Sequence, residues 1–165
     1  MRARGYIKRI VSLWGNRLAR ARHARGHGVH SPFVYGLVRQ VFMRRTLFAA
    51  DDRALYEALM AKGVSSRRAT QLHNARIYCA AERYAIDSFD GDFIIVTEHC
   101  ATPLIEAYRT ATERGATLVI LSPYASRERQ QCIRALVEQH ASTSVDNRGY
   151  IIFMNNHLPK QHFIL

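Results

Sequence analysis

The chain has 165 residues, 48% of them hydrophobic, and a formal net charge of +11. That is enough apolar chain for one buried core, and no window approaches the roughly 20 consecutive apolar residues that a membrane-spanning helix requires. The excess charge is local: residues 1–50 hold 11 Lys/Arg and no Asp or Glu, while residues 51–165 hold 13 of each sign. A field concentrated in this way recruits anionic partners, whereas scattered charge mainly keeps a protein soluble.

The cations are almost all arginine, 21 against only Lys8, Lys62 and Lys160. Arginine suits phosphate recognition, although a nucleotide bias in the gene produces the same excess. Cys79, Cys100 and Cys132 are odd in number and far apart, which excludes a disulfide framework and zinc-type spacing and fits a reduced, cytoplasmic compartment. Lys8-Arg9 and Gly15-Asn16-Arg17 break the apolar stretch near the start, so no secretory leader is expected.

In chain order, residues 7–25 have a helical pattern. Ile7, Ile10, Val11, Trp14, Leu18 and Ala21 form one apolar stripe, and Lys8, Arg9, Arg17, Arg20, Arg22 and Arg25 fill the rest of the circumference. Gly26-His27-Gly28 ends this helix. Ser31-Pro32 restarts one, with Ser as N-cap and Pro at the first helical position, and it is expected to run to about Arg45. Asp51-Asp52 is expected to cap a third helix through Met60, closed by Gly63. Ser65-Ser66 opens a fourth through about Phe89, with Leu72, Ala75, Ile77, Cys79, Ala80 and Tyr84 as buried positions.

The pattern then changes. Phe93–Thr97 and Thr117–Leu121 are continuous apolar runs of strand length. Helices are expected from Thr102-Pro103 to Gly115 and from Arg127 to His140. Thr143–Asp146, Tyr150–Met154 and His162–Leu165 have the pattern of short strands, the first two joined by a turn at Asn147-Arg148-Gly149. Apolar strands alternating with helices imply an α/β fold whose mostly parallel sheet is covered by helices, with an antiparallel edge at the C-terminus. The division expected from charge is a basic helical arm over 1–50 and an α/β domain over 51–165, together one compact unit.

Two stretches carry a family resemblance. Gly26-His27-Gly28-Val29-His30-Ser31-Pro32-Phe33-Val34-Tyr35, preceded by a basic helix, resembles the N-terminal signature of class I S-adenosylmethionine-dependent methyltransferase-like proteins of Bacteroidetes-type bacteria. Ala116–Leu165 resembles the tail of the same family, closing on Lys160 to Phe163. The resemblance implies a reduced Rossmann-like fold and S-adenosylmethionine as cofactor. The chain departs from the family in three places. No G-x-G follows a strand, although the cofactor loop needs glycines for close backbone approach. Ser122-Pro123-Tyr124 stands where the family places acids. Gly36 stands where its first motif continues with an acid.

Glu98 ends the strand Phe93–Thr97, where an acid can accept ribose hydroxyls; a polar surface loop is the commoner reason for such a residue. With Ser122 it forms the candidate cofactor site. The adjacent His99 and Cys100 lack a third orienting group and do not make a nucleophile–base pair. His27 and His30 lie in a glycine-rich turn with no cysteine or acid nearby, so capping, packing or anion contact suits them better than metal binding.

The arginine-rich helix is the principal candidate. It can track an RNA or ribonucleoprotein phosphate backbone, lie peripherally on an anionic membrane, or pack as an ordinary amphipathic face. Three functional readings follow. The first is a non-catalytic, methyltransferase-like protein that binds RNA or another anionic partner through Lys8, Arg9, Arg17, Arg20, Arg22, Arg25, His27 and His30. The second is a compact methyltransferase using Glu98 and Ser122. The third is a self-associating structural module.

Overall fold

The structure, a computed structural model, describes residues 31–165. It begins at the Ser-Pro restart: the Ser31 hydroxyl accepts the Val34 N–H at 3.4 Å, and helix α1 follows over Pro32–Gly36. The chain continues as a π-helix over Leu37–Phe42, widened so that the Met43 N–H donates to the Val38 carbonyl at 3.1 Å. Gln71 then bonds the C-terminal end of this segment, donating to the Phe42 carbonyl at 2.8 Å.

Helix α2 spans Ala54–Ala61 and is closed by Gly63 at φ +78°, a conformation glycine adopts without a Cβ penalty. Its N-cap is Arg53, without a side-chain cap bond, and Asp52 pairs instead with Arg76. The expected aspartate cap is thereby corrected: the buried guanidinium competes more strongly for the carboxylate than the helix end does.

Helix α3 spans Ser66–Tyr78 and stops eleven residues short of the expected Phe89. Ala80 takes φ +53° and is exposed, which ends the helix, and the chain becomes strand β1, Tyr84–Ile86. Tyr84 is thus a strand residue, and Ile77 and Cys79 are only half-buried. The helical spacing of Tyr84 concealed a strand that its pairing with strand β2, Phe93–Val96, makes favourable.

β1 and β2 are parallel neighbours joined by residues 87–92 alone. Parallel pairs normally need a crossover of about a dozen residues. Here β1 has three residues, so the return covers only about 10 Å. Gly91 permits the return: a Cβ there would stand 2.8 Å from the Ala85 nitrogen and the Tyr84 carbonyl carbon.

Helix α4 (Leu104–Glu113) leads to strand β3 (Thr117–Leu121), and α5 (Arg127–Gln139) leads to β4 (Thr143–Asp146). Strands β5 (Tyr150–Phe153) and β6 (Gln161–Ile164) complete a six-stranded sheet of order β1-β2-β3-β5-β4-β6. The sheet is mostly parallel. β5 runs antiparallel to β3 and β4, and β6 is parallel to β4.

Alternation along the strands builds two cores. Phe93, Ile95, Val119, Leu121 and Ile152 face Leu37, Val41, Leu55, Leu59 and Leu72 of the helical first half. Ile94, Val96, Leu118, Ile120 and Phe153 face Ala107, Ala111, Ile133 and Leu136 of α4 and α5. The fold is therefore three layers, helix–sheet–helix. The charge boundary at Asp51 is not a packing boundary, because Val34, Leu37, Val38 and Val41 are part of the first core. No helix among the described residues is long and apolar enough to cross a membrane.

Candidate functional site

The C-terminal ends of β1, β2 and β3, the β4–β5 turn and the connection from α2 to α3 meet at one end of the sheet. In open α/β folds ligands lodge at this end. Asp87, at φ +58°, closes β1 and ties it to β2: its carboxylate accepts the Thr97 N–H at 2.7 Å and the Thr97 hydroxyl at 2.9 Å. The Lys62 ammonium lies 3.2 Å from the same carboxylate.

Between β2 and β3 sits the guanidinium of Arg129, from the first turn of α5. It donates to the carbonyls of Leu121 at 2.9 Å, Ser122 at 3.2 Å and Thr97 at 3.4 Å. Burial pulls its pKa down, opposed by the charge of Glu98. The gap between these two strand ends is filled by this side chain.

Glu98 and Ser122 line one cavity of about 260 Å³, together with Lys62, His99 and Arg68. Glu98 and His99 are exposed, whereas Cys100 turns toward the opposite core and packs there. Ser122 has φ +48°, and its N–H donates to the Gly149 carbonyl at 2.9 Å. Lys8, Arg9, Arg17, Arg20, Arg22, Arg25, His27 and His30 lie outside the described residues.

A larger cavity, about 580 Å³, adjoins the first and shares Ser65, Arg68 and Gly149 with it. One wall carries Arg67, Arg68 and Arg148; the other carries Val38, Phe42 and Met43. Gln71 and Asn147 of its lining hold the buried Tyr150, whose hydroxyl donates to Gln71 Oε1 at 3.1 Å and accepts from Asn147 Nδ2 at 2.7 Å. Burial drives the Tyr150 pKa upward, opposed by Asn147 and then by the charges of Arg68 and Arg67. Gly149 lets the Arg68 guanidinium rest directly on the turn: a Cβ would lie 2.2 Å from its Nε, and the exposed side chain would have to move aside.

Sequence reasoning passed over Arg67, Arg68, Arg129 and Arg148. The Arg67-Arg68 pair after Ser65-Ser66 and the arginine within the 147–149 turn were visible signals, overshadowed by the denser charge upstream. Nothing in the sequence marks Arg129 as the cation that reaches back to two strand ends.

Of the buried ionisable groups away from this end, Tyr108 and His140 partner each other, whereas neither ring nitrogen of His73 has a hydrogen bond among the described residues. Tyr108 OH and His140 Nδ1 are 2.9 Å apart, and both rings pack edge-on against Phe153. Burial lowers the His140 pKa, and it also lowers that of His73, which is fully enclosed beside Arg76. Burial pushes the Cys79 thiol up to about 12, so this cysteine is inert as a nucleophile. Among the described residues no group of three His, Cys, Asp or Glu side chains could hold a metal ion.

No protein-family model, no curated protein and no solved structure matches the chain.

Proposed function

We propose that this protein binds an anionic partner, RNA or a ribonucleoprotein, through the cation-rich segment that begins the chain, and that it does so without transforming its partner. The observation that carries this reading is the charge distribution: 11 Lys/Arg and no acid in residues 1–50, against balance in the remainder. Each phosphate contact releases counterions and adds salt-sensitive affinity.

Two features of the folded part agree with a binding role. The gap between β2 and β3 is occupied by Arg129, and the cavity bearing Glu98 and Ser122, about 260 Å³, is smaller than the roughly 300–1,000 Å³ that encloses most cofactor-sized ligands.

The test is RNA binding by the full chain across a salt series, beside a variant carrying Arg17→Glu, Arg20→Glu and Arg22→Glu. Affinity should fall linearly on a log–log plot, and losing three phosphate contacts should flatten the slope by about 2. Salt-independent binding, or binding that the three substitutions leave unchanged, refutes the proposal. Binding to anionic vesicles in place of RNA returns the peripheral-membrane reading.

A second reading rests on the convergence of Glu98 and Ser122 on one cavity: a compact S-adenosylmethionine-dependent methyltransferase. Calorimetry separates the two. Micromolar cofactor binding that disappears in Glu98→Ala favours the enzyme, and no heat at millimolar cofactor removes it.

A further inference from the structure

The cavity between α3 and the β4–β5 turn has a wall chemistry that the charge of the first segment does not explain. Arg67 and Arg68 on α3 and Arg148 on the turn surround a space of about 580 Å³. None of the three forms an ion pair with a carboxylate among the described residues; the pairs present use Arg53, Lys62, Arg76, Arg83 and Arg109. Asp146, two residues before Arg148, accepts the Arg148 backbone N–H at 2.9 Å and the Tyr124 hydroxyl.

All three arginines are exposed, and two of them have a defined backbone or packing relation to the turn. Arg68 lies on Gly149, where any side chain would displace it. Arg148 is fixed at φ +56° by the hairpin. Gln71 and Asn147 of the lining bond the buried Tyr150 hydroxyl, on which the charges of Arg67 and Arg68 also act. Like charges gathered with no Asp or Glu side chain in the lining raise the energy of the free protein, and an anion lowers it.

The facing wall is apolar. Val38 and Phe42 are almost fully buried, and Met43 leaves a flexible thioether at the rim. The π-helical segment positions this wall, and Gln71 fastens it by bonding both the Phe42 carbonyl and Tyr150. A fork-shaped cation suits phosphate oxygens, and the apolar side, exposed mainly at Met43, suits contact with an organic remainder.

We propose that this cleft binds a phosphate ester of nucleotide size, its phosphate between Arg67, Arg68 and Arg148 and its remainder against Val38, Phe42 and Met43. The phosphate comes either from a free nucleotide or from the phosphorylated end of an RNA strand. The site belongs to the folded domain and stands whether or not the first segment binds RNA.

The experiment is calorimetry on the full chain with adenosine 5′-monophosphate and adenosine, alongside a short oligoribonucleotide with and without its 5′-phosphate. At least one phosphorylated probe should bind about 10-fold or more tightly than its dephosphorylated twin. That preference should disappear in Arg67→Gln/Arg148→Gln, and in Arg148→Asn, which keeps a residue suited to the left-handed turn. An unchanged thermal melt guards against misfolding.

A preference seen only with the oligonucleotide assigns the phosphate to a strand end, and one seen only with the mononucleotide assigns it to a free ligand; either result supports the site. Equal affinity for both members of each pair overturns it. So does a preference that survives the cleft substitutions, or one lost in the Arg17→Glu/Arg20→Glu/Arg22→Glu variant with the cleft intact. That last variant should weaken only the general, phosphate-end-independent affinity for RNA, so the two proposals fail separately.

Discussion

Replacing Arg129 with methionine tests the account of the strand ends. Methionine keeps the apolar stem while removing every donor. The guanidinium donates to Leu121 O at 2.9 Å and Ser122 O at 3.2 Å, with a longer contact to Thr97 O at 3.4 Å. A hydrogen bond to a charged group contributes about 1.5–3 kcal/mol. Ser122 O also accepts the Ala125 N–H at 3.1 Å and is not orphaned. The half-buried guanidinium regains desolvation energy when it is removed. The expected net loss is therefore that of about one full charge-assisted bond, roughly 2 kcal/mol. Arg129→Lys should lose about half as much, because an ammonium cannot span both strands in the plane of the fork. Urea unfolding gives the comparison, provided the m-value is constant. Amide exchange at Thr97 and Ser122 should quicken as the strand ends loosen. A midpoint shift worth under about 0.5 kcal/mol for Arg129→Met, with unaltered exchange, would mean that the guanidinium does not bind the strand ends together.

Three further outcomes are expected. Gly91→Ala places a Cβ 2.8 Å from two backbone atoms of β1 that cannot rotate away, so it should cost about 2–3 kcal/mol in urea unfolding and release the β1 edge. Gly36→Ala puts a methyl group 2.2 Å from the Tyr78 hydroxyl and should break its 3.0 Å bond to the Phe33 carbonyl, costing about 1–2 kcal/mol; in a Tyr78→Phe background the same substitution should cost less, and an additive double-mutant cycle would contradict the contact. His73 and His140 are buried with lowered pKa values, so the folded state disfavours their charged forms. Their stabilisation is fully present above the unfolded value near pH 6.5 and is lost as pH falls from there toward the folded values, by at most about 1.4 kcal/mol per pH unit for each. Unfolding midpoints from pH 8 to pH 5 should show this, and His73→Leu should flatten the curve; an identical slope in that variant would remove His73 from the account.

The elements legible in the sequence were those with one dominant signal. Ser31-Pro32 announced a helix start, and the hydroxyl makes the cap bond. Phe93–Val96 and Thr117–Leu121 announced themselves as buried strands because nothing polar interrupts them. β1 was hidden, because three residues carry no periodicity and its stability comes from pairing with β2. The π-helix was hidden for a related reason: its widened turn is held by Gln71, 29 residues away from Phe42. At the site, Glu98 and Ser122 could be placed together because both follow apolar strands. Arg68 and Arg148 could not, since their proximity depends on a glycine's missing side chain.

The backbone at the strand ends explains why those cations can act as a set. Asp87, Ser122 and Arg148 each stand immediately beyond a strand or within its closing turn, and each takes a left-handed conformation. For a residue other than glycine this costs about 1–2 kcal/mol, somewhat less for Asp. Each is held by bonds to a neighbour: Asp87 to Thr97, Ser122 to Gly149 and Arg129, and Arg148 to Asp146. Such a frame fixes the backbone from which Arg148 is displayed, so binding a ligand there orders the side chain alone and not the turn. The described chain, by contrast, enters at the other end of the helical layer, where Phe33 packs on Tyr78 at the far end of a 13-residue helix. Arg67, in the first turn of that helix, lines the cleft, so the cleft and Phe33 lie at opposite ends of α3, about 20 Å apart along its axis.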